Sequence, residues 1–159
     1  MKLNKVAVVV ALALVCVLTS VALVQAQSPD ELGKAIADNY LEALKKVNEL
    51  MKDRPDPKDL TPKVEALREE TIKKMVEVGQ KVAKLDEAGK KKVDTKVSMA
   101  FSATPGDVFK AFSEGQQFYT KKDPKLGKLI KDFNIITQYA LFDLLKKQEP
   151  KEAERLGIK

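Results

Sequence analysis

The sequence has no histidine, no tryptophan and one cysteine, Cys16, among its 159 residues. Without histidine it lacks the commonest general acid–base group at neutral pH and the commonest transition-metal ligand. Di-iron bundles need glutamate–x–x–histidine pairs, and covalently bound haem needs a cysteine–x–x–cysteine–histidine motif, so neither site can be built. We therefore predict no cofactor and no metal site.

Motifs for catalysis are also missing. The chain contains no glycine-rich phosphate loop and no nucleophile elbow. We expect a protein that is not an enzyme and that has no catalytic residue. Chemistry carried by carboxylates and lysine is kept as a residual hypothesis.

Residues that break regular structure are scarce, with seven glycines and seven prolines. Hydrophobic residues make up 44% of the chain and charged residues 33%. This composition and length are typical of one folded helical domain.

The N-terminus has the pattern of an export signal. Lys2 and Lys5 precede an apolar run over residues 6–24. Val24 and Ala26 then supply small side chains three and one residues before a cut, which predicts cleavage between Ala26 and Gln27. The alternative is an uncleaved membrane anchor, because the run lies within the roughly 17–25 residues of a membrane-spanning helix.

Both alternatives place the rest of the chain outside the cytoplasm. We predict a signal peptide at 1–26 and a single exported domain at 27–159, periplasmic or secreted. In the anchored alternative, residues 6–24 hold that domain to the membrane. Cys16 follows Val15 in the middle of the run, which favours a small hydrophobic residue over a lipidation site.

Helix starts are marked by a capping residue before a proline. In Ser28-Pro29-Asp30-Glu31 the serine and glutamate form a capping box and the proline suits the first helical position. The same marker recurs at Thr61-Pro62, Thr104-Pro105 and Asp123-Pro124, and more weakly at Glu149-Pro150.

Between these marks the apolar residues recur every three or four positions, with lysine and glutamate opposite, and no segment alternates as a strand does. We predict an all-α domain: an up-and-down bundle of four long arms. Residues 53–59, with two prolines, are predicted to form a loop. The third arm is broken at Thr104-Pro105, which leaves four or five helices open, and the last helix is predicted from Pro124 to about Gln148.

The stretch at 133–145, FNIITQYALFDLL, is apolar around most of a helix. We interpret it as the central helix of the core, with an exposed flank for a partner as the alternative.

An aromatic group surrounds the break in the third arm. Two interpretations are weighed: core packing, which is favoured, and an apolar pocket between helices that binds a ligand or partner. Gly106 and Gly115 would leave room for either. The candidate binding residues are Phe101, Phe109, Phe112, Phe118 and Tyr119.

Lysines occur in pairs and one triplet, Lys90-Lys91-Lys92, with acidic residues interspersed. Without residues 1–26 the net charge falls from +6 to +4. Arginine, the residue best suited to bidentate phosphate recognition, occurs three times, so we predict no nucleic-acid partner. We interpret these lysines as solvated helix faces, with an anionic envelope component as a candidate partner.

The sequence thus favours an exported cell-envelope helical bundle that binds a protein or an anionic envelope component without catalysis. The alternative is a carrier of an apolar small molecule near Phe109, Phe112 and Tyr119.

Overall fold

A computed structural model describes residues 27–158, and this part of the chain is helical without strands. The predicted signal peptide or anchor and the cleavage after Ala26 lie outside the described residues. The described helices are α1 Pro29–Met51, α2 Pro57–Val82, α3 Glu87–Ser102, α4 Gly106–Lys122, α5 Pro124–Lys131, a 3₁₀ helix Asp132–Ala140, α6 Phe142–Gln148 and α7 Pro150–Arg155.

Three of the predicted helix starts are confirmed: those of α1 and α5, which have side-chain caps, and the weaker one at Glu149-Pro150, where α7 begins without a side-chain cap. The Glu31 N–H donates to the Ser28 hydroxyl over 3.3 Å, and the Ser28 N–H donates to the Glu31 carboxylate over 2.7 Å. This capping box opens α1. At α5, the Asp123 carboxylate accepts from the backbone N–H groups of Lys125 and Leu126 at 2.9 and 3.1 Å.

The predicted start at Thr61-Pro62 is wrong. Helix α2 already begins at Pro57, where the Asp56 carboxylate accepts from the Lys58 N–H over 2.9 Å. Asp56-Pro57 carries the same capping signal five residues earlier, and the earlier start buries Leu60 completely. The predicted loop at 53–59 is therefore shorter, and Pro62 lies inside the helix.

The break at Thr104-Pro105 is present, but Thr104 does not cap α4. Its hydroxyl donates back to the Ala100 carbonyl over 2.8 Å, and α4 has no side-chain cap. Helices α3 and α4 are separate, with three residues between them.

The continuous last helix predicted from Pro124 to Gln148 is wrong, because the chain tightens into the 3₁₀ helix at Asp132. Three large side chains in this segment are spaced by three, and in a 3₁₀ helix such residues align on one face. These side chains, Phe133, Ile136 and Tyr139, are all buried. The interpretation of this stretch as core agrees with that burial.

Helix α1 has close neighbours on two sides. It is antiparallel to α2, since Glu42 lies near Lys74 at 3.7 Å and Lys46 near Glu70 at 3.8 Å. On its other side α3 and then α4 follow it in parallel. The Tyr40 and Phe101 ring centroids are 4.9 Å apart, and Asn48 donates to the Val108 carbonyl over 2.9 Å.

The last part of the chain covers α2. Arg68 donates to the Tyr139 hydroxyl over 3.0 Å, and Gly79 lies against the Phe142 ring, so α2 and this segment run in the same direction. Helix α5 packs on α4, where Gly127 meets the backbone of Thr120. Helices α2 and α3, although joined by the short loop 83–86, make few contacts.

Candidate binding groove

The five predicted aromatic residues share the third arm but not one pocket. Phe112 and Tyr119 are buried in the core, and the Tyr119 hydroxyl donates to the Pro55 carbonyl over 2.9 Å. Phe101, Phe109 and Phe118 are half-buried against the core.

Two of these aromatics line a cleft of about 490 Å³ between α1 and α4: Phe118 and Tyr119. The guanidinium of Arg54 lies 4.4 Å from the Phe118 ring centroid and partly covers it. Gly115 leaves no free space here, because a Cβ at that position would come within 2.5 Å of Met51 Cε. Its role is close contact between α1 and α4.

A larger cavity lies elsewhere, between α3 and α6. We call it the α3–α6 groove; its volume is about 940 Å³. Its apolar lining comes from three elements: the end of α2, one face of α3, and the start of α6 with the residue before it. The apolar residues are Val82, Ala83, Val97, Leu141, Phe142 and Leu144.

The groove forms because the last part of the chain packs closely on α4 but not on α3. Helix α4 packs on α5, whereas α3 packs mainly on α1 and leaves α6 at a distance. An ion pair bridges the gap, with Lys90 Nζ 3.0 Å from Asp143 Oδ2. Lys90 also pairs with Glu87 at 3.1 Å.

Charges of both signs border the groove. Lys90 and Lys91 come from α3 and Lys146 and Lys147 from α6, together with three acidic residues, Glu87, Asp94 and Asp143. Hydrogen bonds with Asp143 and Glu87 raise the pKa of Lys90, and the Lys90 ammonium lowers the pKa of Asp143. The bridge is therefore fully charged at neutral pH.

Asp94 differs from Asp143 in the direction of its pKa shift. Partial burial raises the pKa of its carboxyl above the ordinary value. This burial disfavours the charged form of Asp94, whereas the Lys90 ammonium favours the charged form of Asp143.

A second polar cluster ties the C-terminal helix to α2. The Tyr139 hydroxyl donates to Glu152 over 2.9 Å and accepts from Arg68, and Arg155 binds Glu152 at 2.9 Å and Glu69 at 3.3 Å. Burial, followed by the hydrogen bond to Glu152, raises the pKa of Tyr139 to about 12. The phenol stays protonated, as a structural hydrogen-bond donor does.

Sequence reasoning missed the groove although it singled out most of its parts. The triplet Lys90-Lys91-Lys92 and the pair Lys146-Lys147 were interpreted as solvated faces, and Phe142 was placed in a continuous apolar helix. The groove becomes visible only when these residues are seen to lie close together across the bundle. No sequence pattern shows this, because it depends on how α3 and α6 pack.

No protein-family model, curated protein or solved structure shows significant similarity to this chain. Within residues 27–158, no helix combines the length and the apolar character needed to cross a membrane. No cluster of three or more His, Cys, Asp or Glu side chains in that range could hold a metal ion.

Proposed function

We propose that this chain is an exported, non-catalytic binding protein of the cell envelope, and that it binds through the α3–α6 groove. We also propose that the helices act as the four arms of an up-and-down bundle: α1, α2, α3 with α4, and α5 through α6. The third and fourth arms separate at one end, and the groove is the space between them.

One observation carries this proposal: an apolar floor lies open between two helix walls, α3 and α6. Val82 and Val97 close the bottom, and Leu144 is only half-buried on the α6 wall. Ligand sites in helical bundles lie between facing helices and combine apolar lining with a few polar groups. The groove has both.

The carrier hypothesis near Phe109, Phe112 and Tyr119 has less support. Phe112 and Tyr119 are at most 5% exposed, so they belong to the packed interior. A carried molecule is better accommodated by the α3–α6 groove, which lies on α3 and not on α4, where these aromatic residues are.

The residual enzyme hypothesis has no specific support in the groove. Lys90 and Asp143 neutralise each other there, and Tyr139, whose pKa is raised to about 12, is engaged by Arg68 and Glu152. Neither arrangement presents a general acid or base near neutral pH.

Site-specific photo-crosslinking in the producing cell tests the proposal. Benzoylphenylalanine replaces Leu144 in the groove or, as a matched control, Met99 on the outer face of α3, which is 63% exposed. We expect crosslinked molecules at position 144 and none specific to position 99. No adduct at 144, or equal adducts at both positions, would overturn the groove as the binding site.

The same preparation tests export. The mass of the protein from the envelope fraction should correspond to a chain that begins at Gln27. A mass that includes Met1, found in the membrane fraction, would favour the anchored alternative. A cytoplasmic protein would contradict both.

A further inference from the structure

We propose that the α3–α6 groove binds a long-chain carboxylate, with its alkyl chain on the apolar floor and its carboxylate at Lys91 and Lys147. This inference rests on the proposed function and adds the class of ligand.

The size of the groove favours a small molecule over a protein. Fourteen residues line it, fewer than the roughly 20–30 that each side of a standard protein–protein interface contributes. The α6 wall spans only seven residues, or about 10 Å of helix. A volume of about 940 Å³ lies within the range of about 300–1,000 Å³ for ligand pockets.

The floor of the groove favours an alkyl chain. It is formed by valine, leucine and phenylalanine from α2, α3 and the start of α6, without a buried polar group among them. Removal of apolar surface from water is favourable, and this contribution has no directional requirement. A flexible hydrocarbon chain can follow such a floor without meeting an unsatisfied donor or acceptor.

The charges at the edge select the head group. Lys90 is neutralised by Asp143 and Glu87, whereas Lys91 and Lys147 lie on opposite walls of the groove and are exposed. Two exposed ammonium groups on facing walls suit one anionic head between them. Asp94 lies on the same face of α3 as Lys91, three residues further along, and opposes an anionic head there. The lysines that line the groove still outnumber its carboxylates by four to three.

The absence of tryptophan provides a clean reporter for this test. Leu144→Trp places a single tryptophan in the groove, and Met99→Trp places one on the outer face of α3. Each variant is titrated with brominated stearate, whose bromine atoms quench a tryptophan in contact with the chain, at concentrations below micelle formation. Circular dichroism checks that both variants keep the helical fold.

We expect saturable quenching at position 144 and little at position 99. The amine-headed analogue of the same chain should bind more weakly than the carboxylate. In the Leu144→Trp protein, Lys91→Gln and Lys147→Gln should each weaken binding about two- to fivefold, since an exposed ion pair contributes little. Lys45→Gln and Lys110→Gln, which remove the same charge outside the groove, should leave binding unchanged.

Other outcomes distinguish failure of the proposed ligand class from failure of the groove as the binding site. Equal quenching at both positions, or equal binding of the amine and the carboxylate, would overturn the inference. If stearate does not bind while position 144 still gives crosslinks in the cell, the ligand class is wrong and the groove remains the binding site. If position 144 gives neither quenching nor crosslinks, both proposals fail.

Discussion

Gly79 of α2 lies directly against the ring of Phe142, so that a Cβ on Gly79 would come within 2.5 Å of Phe142 Cε1. The glycine thus lets the start of α6 approach α2, and Phe142 forms part of the groove from that position. No other residue type at position 79 leaves the ring where it is.

Gly79→Ala should therefore displace Phe142 and reduce the free energy of unfolding by about 1–3 kcal/mol, the usual cost of overpacking. Urea denaturation followed by circular dichroism measures this change. Gly106→Ala is the matched control, because nothing lies within 4 Å of a Cβ there. If both variants prove equally stable, the close approach of α6 to α2 is not required.

Tyr139→Phe should remove two hydrogen bonds in which the hydroxyl accepts from Arg68 and donates to Glu152. Because both partners are part-buried and charged, we expect a loss of about 1–3 kcal/mol in thermal or chemical unfolding. Tyr40→Phe provides the comparison, since the ring of Tyr40 packs on Phe101 and keeps that contact in the variant. A Tyr139→Phe protein as stable as the Tyr40→Phe protein would show that the cluster contributes nothing.

Acid should weaken the attachment of α7. Hydrogen bonds from Arg155, and to a lesser extent from Tyr139, lower the pKa of Glu152 from its ordinary value of 4.5. A carboxyl with a lowered folded-state pKa contributes stability that is present above its unfolded pKa and is lost as the pH falls through the folded value. Stability should therefore fall below about pH 4.5.

The same loss should be smaller in Glu152→Gln, because this variant no longer titrates at that position. Unfolding curves of both proteins, recorded from neutral pH to well below the ordinary carboxyl pKa, measure the difference. Parallel pH profiles would show that other carboxyls, such as Glu42 and Glu70 with their lysine partners, carry the whole effect.

Asp123→Ala and Thr104→Ala should differ although both residues precede a proline. Asp123 accepts two backbone hydrogen bonds at the start of α5, and loss of such a cap costs about 1 kcal/mol. Thr104 donates to Ala100 and caps nothing, so its replacement should cost less. Equal losses in chemical unfolding would contradict the assignment of the two roles.

These two residues also show how far local sequence signals reach. A capping side chain before a proline marks where a helix can begin, and it succeeded at Ser28 and Asp123. At Thr61 the signal failed, because α2 begins earlier, at Asp56-Pro57, and the added turn buries Leu60. At Thr104 the hydroxyl found a nearer acceptor in the preceding helix.

The last part of the chain was harder to predict because its apolar residues fit two helix types. A spacing of three occurs on one face of both an α-helix and a 3₁₀ helix, so Phe133, Ile136 and Tyr139 alone do not distinguish them. The groove could not be predicted either, since it depends on the distance between α3 and α6. No local pattern reports that two helices fail to touch.

The parallel run of α3 and α4 along α1 has a consequence for how the protein folds. The hydrogen bond from Asn48 to Val108 joins residues 60 positions apart, whereas the α1–α2 hairpin closes through a turn of a few residues. Contacts between distant positions slow folding, because a long loop must be ordered before they form. During synthesis, α1 and α2 can pair early, but one face of α1 stays uncovered until the third arm has emerged. During that interval, before the chain has finished leaving the ribosome, the uncovered apolar face is exposed to aggregation and proteolysis.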